Sequence, residues 1–122
     1  MATPARFHFF TRRATATGVE WRLVMGNNRE LGRASAPYTD LAACTDAVRR
    51  LQTGLPHLAA SLVAGTPGRW SWNLRDEADG VLAVSGRDYC RRVEVQSALE
   101  KFRAAAGAAH IIDEVRAVGF LR

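Results

Sequence analysis

The sequence predicts an α+β protein made of two tandem copies of one unit, on three observations. The chain resembles itself at an offset of 51 residues, each copy passes from a hydrophobic period of two to a period near 3.6, and the composition is that of a globular domain. Sliding the chain by 51 without a gap places Trp21 on Trp72, Leu23 on Leu74, Leu31 on Leu82, Tyr38 on Tyr89, Ala47 on Ala98, Val48 on Leu99 and Leu51 on Phe102. Several of these matches are identities in rare residue types.

Each element can be read twice. Val19, Trp21 and Leu23 alternate with Glu20 and Arg22, and Trp70, Trp72 and Leu74 alternate with Ser71, Asn73 and Arg75. That is the pattern of a half-buried strand. Asn27-Asn28 and Asp79-Gly80 follow as turn formers that tolerate positive φ, and short apolar segments (Leu31 to Ala34, Val81 to Ser85) complete a hairpin in each copy. The period then changes. Leu41, Cys44, Val48 and Leu51, and later Val95, Leu99 and Phe102 with Ala98 beside them, predict amphipathic helices of about three turns. Thr39 is the expected N-cap of the first, with Asp40 in its first turn; Gly54 and Pro56 end it, and Gly107 ends the second. A β-like stretch precedes each hairpin, Arg6 to Thr11 and Leu58 to Val63, and another, His110 to Val115, follows the second helix. With no third hairpin after it, that last strand must pair within the chain or with a partner. The expected organisation is one domain: repeat one over 6–56, repeat two over 57–107, and a completing strand and tail over 108–122.

These residues resemble the YegP-like proteins, small bacterial proteins of unknown function built from one or two copies of such a unit. The resemblance spans residues 6–115. It rests on Trp21-Arg22-Leu23 and Trp72-Asn73-Leu74, the Asp79-Gly80-Val81-Leu82 turn, the Ser85 to Tyr89 stretch and the terminal Ile111-Ile112-Asp113. Copy one departs from the pattern at Asn28-Arg29-Glu30, where the family prefers Asn-Gly-Glu, and at Ala36-Pro37. The resemblance implies two β₃αβ units sharing one antiparallel sheet, both helices on one face, with the final strands exchanged between units. It brings no catalytic residue, substrate or cofactor.

Length and composition bound the function. At 122 residues and 13.4 kDa the chain has room for one domain or two small units sharing a core. Its 48% apolar and 24% charged residues suit a globular protein, and no apolar run approaches the roughly 20 residues of a membrane span. Met1 to Arg6 leads into no apolar signal core, because Arg12 and Arg13 interrupt the Phe7 to Phe10 cluster, so a cytoplasmic location is expected. The charge of +5 and pI near 10.2 invite a nucleic-acid reading. Of the 17 basic residues 16 are Arg, and Ala is abundant, which a GC-rich coding sequence alone would produce; the cations are also dispersed. Charge of this kind speaks to non-specific attraction and solubility before it speaks to a site.

The chemistry-bearing residues are few. Two cysteines cannot form a disulfide framework or a Cys-rich zinc site. Cys44 falls on the apolar helix stripe and reads as a small core residue. Cys90 matches Thr39, the expected N-cap, beside Arg91 and Arg92, a setting that favours a thiolate, so it is the candidate reactive thiol; a cysteine can also replace a capping residue without a task. His8, His57 and His110 lack metal-motif spacing, although His8 and His110 lie at equivalent positions, 102 apart. Asp76, Glu77 and Asp79 read as turn chemistry, without the ligand order of a calcium loop. Tyr38 and Tyr89 precede the helices as loop anchors or ligand-stacking rings. Trp21, Trp70 and Trp72 belong on the helix-covered face. The helix-free face should carry Glu20, Arg22, Val24, Ser71, Asn73 and Arg75, with His8 and Phe10, as a protein or nucleic-acid surface. Arg22, Asn73, Arg75, Tyr38 and Tyr89 are therefore the candidate binding residues.

No catalytic motif, cofactor site or metal site is found. The expected function is a non-enzymatic binding module, with a protein partner or self-association through a sheet edge or the terminal strand and no membrane. The alternatives are weak RNA or DNA binding through the Arg-bearing face and thiol-based redox sensing through Cys90. Val118 to Leu121 reads as a docking peptide or a packed tail.

Overall fold

The computed structural model describes residues 4–11 and 18–117. Arg12, Arg13 and the Val118 to Leu121 extension lie outside the described residues. In chain order the elements are β1 (Arg6–Thr11), β2 (Glu20–Val24), β3 (Glu30–Ala34), α1 (Leu41–Gly54), a 3₁₀ turn (Leu55–His57), β4 (Ala59–Ala64), β5 (Trp70–Arg75), β6 (Val81–Val84), α2 (Arg92–Ala106) and β7 (His110–Ala117). The seven strands form one sheet in the order β4-β5-β6-β3-β2-β1-β7.

Local chemistry explains the hairpins. Asn28 (φ 63°) and Asp79 (φ 67°), 51 residues apart, are the described non-glycine residues with positive φ, and Asn and Asp tolerate that conformation best. The β2–β3 register sets Arg22 opposite Arg33, Leu23 opposite Gly32 and Val24 opposite Glu30, with a shift after Leu23. The β5–β6 register sets Asn73 opposite Val84, Leu74 opposite Ala83 and Arg75 opposite Val81, with the shift after Leu74. Beyond the strands, Val19 and Tyr38 exchange two backbone hydrogen bonds, as do Trp70 and Tyr89. Each tyrosine thus closes the loop between its hairpin and the helix that follows.

The sheet is not wholly antiparallel. Strand β7 runs parallel to β1, Arg6 facing His110 and Phe7 facing Ile111, with an irregularity between Phe7 and Phe9. A hairpin reverses the chain and gives an antiparallel neighbour, whereas β7 is delivered by a helical crossover, which is what a parallel pair needs.

Both helices bury most of the stripes their periodicity marks, Cys44, Val48 and Leu51 on α1 and Val95, Leu99 and Phe102 on α2, while Leu41 and Ala98 are half-buried and Ala47 and Ala106 join the buried side. The caps differ from expectation. Asp40, not Thr39, is the N-cap of α1, its carboxylate accepting the Ala43 N–H at 2.8 Å. Arg91 is the N-cap of α2, and Glu94 reaches back to accept its N–H at 3.1 Å, half of a capping box. Each cap position lies one residue later than expected, Asp40 for Thr39 and Arg91 for Cys90. Gln52 fastens the ends together, donating to the Ala106 and Ala109 carbonyls at 3.0 Å.

One core joins the halves. Trp21, Trp72, Phe7, Phe9, Leu23, Leu74, Val48, Val95 and Phe102 are almost wholly buried. Phe102 stacks on Trp21 (6.2 Å between centroids) and tilts against Trp72 (4.8 Å), so a single α2 side chain bridges tryptophans from both hairpins. Gly32 makes this possible: a Cβ there would lie 2.7 Å from the Phe102 ring and 2.9 Å from Trp72.

Candidate functional site

The strand registers place several candidate residues in one row. Reading across the sheet, His8, Arg22, Arg33, Val84, Asn73 and Ser61 face one another in turn on the side away from the helices. Arg75 lies two residues from Asn73 on β5. The sheet therefore brings Arg22, Asn73 and Arg75 to one face, as their alternation with the buried Trp21, Trp72 and Leu74 requires.

That face is largely occupied with itself. Glu30 accepts from Arg33 at 2.7 Å and stands 3.9 Å from Arg22; Arg75 pairs with Asp79 at 3.2 Å and donates to the Ser61 hydroxyl at 2.9 Å. The Arg22 guanidinium also lies over the Phe10 ring, 5.6 Å from its centroid. Arg22 Nε, Asn73 Oδ1 and Arg75 Nε are buried with no hydrogen-bond partner among the described residues, so polar capacity remains in the row. A shallow cleft of about 440 Å³ opens beside it, bordered by Arg33, Ser71, Asn73 and Ser85. The face is less open than alternation implied: Glu20 (6%), Val24 (3%) and Phe10 (6%) are buried. Alternation assigns a side to each residue, but not what covers that side.

The tyrosines do not join this surface. Tyr38 and Tyr89 both pack against the helix-side core. Burial pushes the Tyr38 hydroxyl up from its ordinary range, with the neighbouring Cys44 adding to the rise and Arg50 and then Trp21 acting against it. The equivalent Trp72 N–H is buried without a partner among the described residues, and Tyr89 lies under the Arg87 guanidinium at 5.1 Å.

The remaining candidates scatter. Cys44 is fully buried, its thiol pushed up to about 12 by burial and then by Glu20, so it stays protonated. Cys90 is exposed but precedes the N-cap by one residue, so the expectation that it caps α2 is corrected: the cap position belongs to Arg91. His8 is held below its ordinary value by burial and then by Arg116, Arg6 and Arg22, with Glu114 opposing. His110 pairs across from Arg6, and His57 lies in the 3₁₀ turn. Among the described residues no group of three or more His, Cys, Asp or Glu could hold a metal ion. Asp76 accepts the Ala78 and Gly80 N–H groups at 3.0 and 2.9 Å, turn chemistry of the expected kind. Among the described residues no helix is long and apolar enough to cross a membrane.

Two features were missed from the sequence. The first is which strand leaves a sheet edge: β4, at the rim of the sheet. Its signal was composition: Ala59-Ala60-Ser61-Leu62-Val63-Ala64 carries neither charge nor proline. The second is a pair of clefts, each lined by the hairpin of one half and the helix of the other. The offset of 51 already set Lys101 on Arg50 and Met25-Gly26 on Asp76-Glu77, but not that these residues meet.

No protein-family model matches the chain, and no curated protein matches it in sequence. Among solved structures it is similar to the protein of unknown function yegP from E. coli, with a TM-score of 0.75 over 94% of this chain and 97% of that one at 12% identity. It is also similar to a UPF0339 protein from Shewanella oneidensis, with a TM-score of 0.73 over 89% and 90% of the two chains, again at 12% identity. The chain has the fold of the YegP-like proteins.

Proposed function

We propose that the chain is a non-enzymatic interaction module, two tandem β₃αβ units in one domain, that self-associates through the outer edge of β4. The equal registers and turn conformations at an offset of 51 support the two-unit reading. The observation that carries the association is the contrast between the two rims of the sheet. At one rim β7 bears His110, Asp113, Glu114 and Arg116, the charged sequence of a guarded edge. At the other, β4 is an uncharged strand in unbroken register with β5, its outer side unpaired among the described residues. A flat apolar edge is a template for another strand, and two copies meeting antiparallel about a two-fold axis place the same residues on both sides.

The reading is tested by light scattering on a size-exclusion column. The wild type is expected at twice the chain mass of 13.4 kDa, and Val63→Lys, which sets two like charges at the junction, at the chain mass. A wild-type monomer at millimolar concentration overturns it. Monitoring absorbance at 260 nm at low and high salt tests the nucleic-acid alternative in the same run, since phosphate contacts weaken steeply with salt. The Arg-bearing face is second because Glu30 and Asp79 already offset its arginines.

A further inference from the structure

The two clefts between hairpin and helix occupy corresponding places, and their linings differ in kind. One, of about 760 Å³, has Met25 and Leu31 from the β2–β3 hairpin and Ala104 and Ala105 from α2 as its apolar walls, with Arg29 and Lys101 at its rim. The other, of about 630 Å³, has Asp76 and Glu77 where the first has Met25 and Gly26, and Arg50 where the first has Lys101. The first therefore offers apolar walls, two cations and no carboxylate. The second has apolar walls as well, Ala47, Leu58 and Leu82, but its lining holds two carboxylates beside Arg50 and His57.

The cations of the first cleft are uncommitted. Among the described residues neither Arg29 nor Lys101 forms an ion pair, whereas Arg33 and Arg75 do. The cleft also continues. A second hollow shares Arg29, Leu31 and Lys101 and follows α2 back to Val93, which is 66% exposed. From Val93 to Ala105 at 1.5 Å per residue the trough runs roughly 18 Å. The carboxylates along that extension are engaged, Glu30 with Arg33 and Glu94 with the Arg91 N–H.

The geometry points to a binding site for an amphipathic monocarboxylate, such as a medium-chain fatty acid, with its carboxylate between Lys101 and Arg29 and its chain on Met25, Leu31 and Ala104. A bare inorganic anion would leave the apolar wall unused, and a neutral chain would leave the cations unanswered. This site is separate from the β4 edge and does not rest on self-association.

The test is a titration of the ¹⁵N-labelled protein with decanoate, with decanol and inorganic phosphate as comparison ligands. Decanoate is expected to shift amides of Met25 to Leu31 and of Ala104 and Ala105, and to bind more tightly than either comparison ligand. Lys101→Glu should weaken decanoate about tenfold or more, the loss of one charge-assisted contact, while Lys101→Arg retains binding. Met25→Asp, which imports the other cleft's carboxylate, should weaken it likewise, and Arg50→Glu in that other cleft should leave it unchanged. The dispersed amide spectrum of each variant reports that it is folded. No shifts up to millimolar decanoate, equal binding of phosphate, or equal weakening by Arg50→Glu would each overturn the site.

Discussion

Strands β1 and β4 take the same place beside their hairpins, Phe7 opposite Leu23 and Ala60 opposite Leu74, yet one is interior and the other is a rim. In β1, Phe7 and Phe9 are fully buried because β7 lies outside them and the helix layer covers them. In β4 the matching positions are Ala60 and Leu62, and four of its six residues are exposed. Large aromatics occur where a further strand encloses them, and small apolar residues where none does. The difference teaches that equal backbone templates are distinguished by what lies beyond them, and the same is true of the two helices. Phe102 of α2 fills the space over the bare backbone of Gly32, while the positions 51 earlier and later carry Leu51 and Ala83.

The sharpest way to break this comparison is to remove the bridging ring. Phe102→Ala should cost about 3–5 kcal/mol, because it vacates contacts with both Trp21 and Trp72, whereas Leu51→Ala should fall toward the low end of about 2–5 kcal/mol. Urea midpoints at unchanged slope measure both, and equal losses would mean that Phe102 holds the halves together no more than its counterpart does.

A smaller effect separates the tyrosines. Tyr38→Phe removes the half-buried hydroxyl beside Trp21 and should cost about 1 kcal/mol, while Tyr89→Phe, whose neighbouring Trp72 N–H has no partner among the described residues, should stay within about 0.5 kcal/mol. Similar losses would show that both tyrosines act through ring packing alone. The smallest expected difference lies at the caps. Asp40→Ala should cost about 1 kcal/mol by leaving the Ala43 N–H without its carboxylate at 2.8 Å, and Glu94→Ala only a few tenths, as its contact is longer, at 3.1 Å, and capping is half complete. Thermal unfolding of the two variants ranks them, and a reversed order would reassign the stronger cap to α2.

Much of the local structure was legible. The alternation around Trp21 and Trp72 marks β2 and β5 with the buried side correctly assigned, and the stripes ending at Leu51 and Phe102 mark the helices. Asn28 and Asp79 mark the turns because few other side chains accept positive φ. The caps were misplaced by one residue because Thr39 and Asp40 are both competent, and only the path of the chain decides which carboxylate or hydroxyl meets Ala43. The helix-free face was half legible: its members Arg22, Asn73 and Arg75 do share a side, but the burial of Glu20, Val24 and Phe10 is not written in a period of two. The clefts were not legible, since each joins residues more than seventy positions apart, as Met25 and Lys101, or meets across the halves, as Arg50 and Asp76.

The amino-acid sequence by itself determined the elements, their periods, their turns and the side of the sheet on which each tryptophan lies, because those depend on neighbours within one or two turns of chain. The tertiary structure decided that β7 runs parallel on β1 and leaves β4 at the rim, that one phenylalanine bridges two tryptophans over Gly32, and that each hairpin faces the other half's helix. Those outcomes depend on which distant surfaces exclude water together, and burial is a property of the assembled contact rather than of either segment alone.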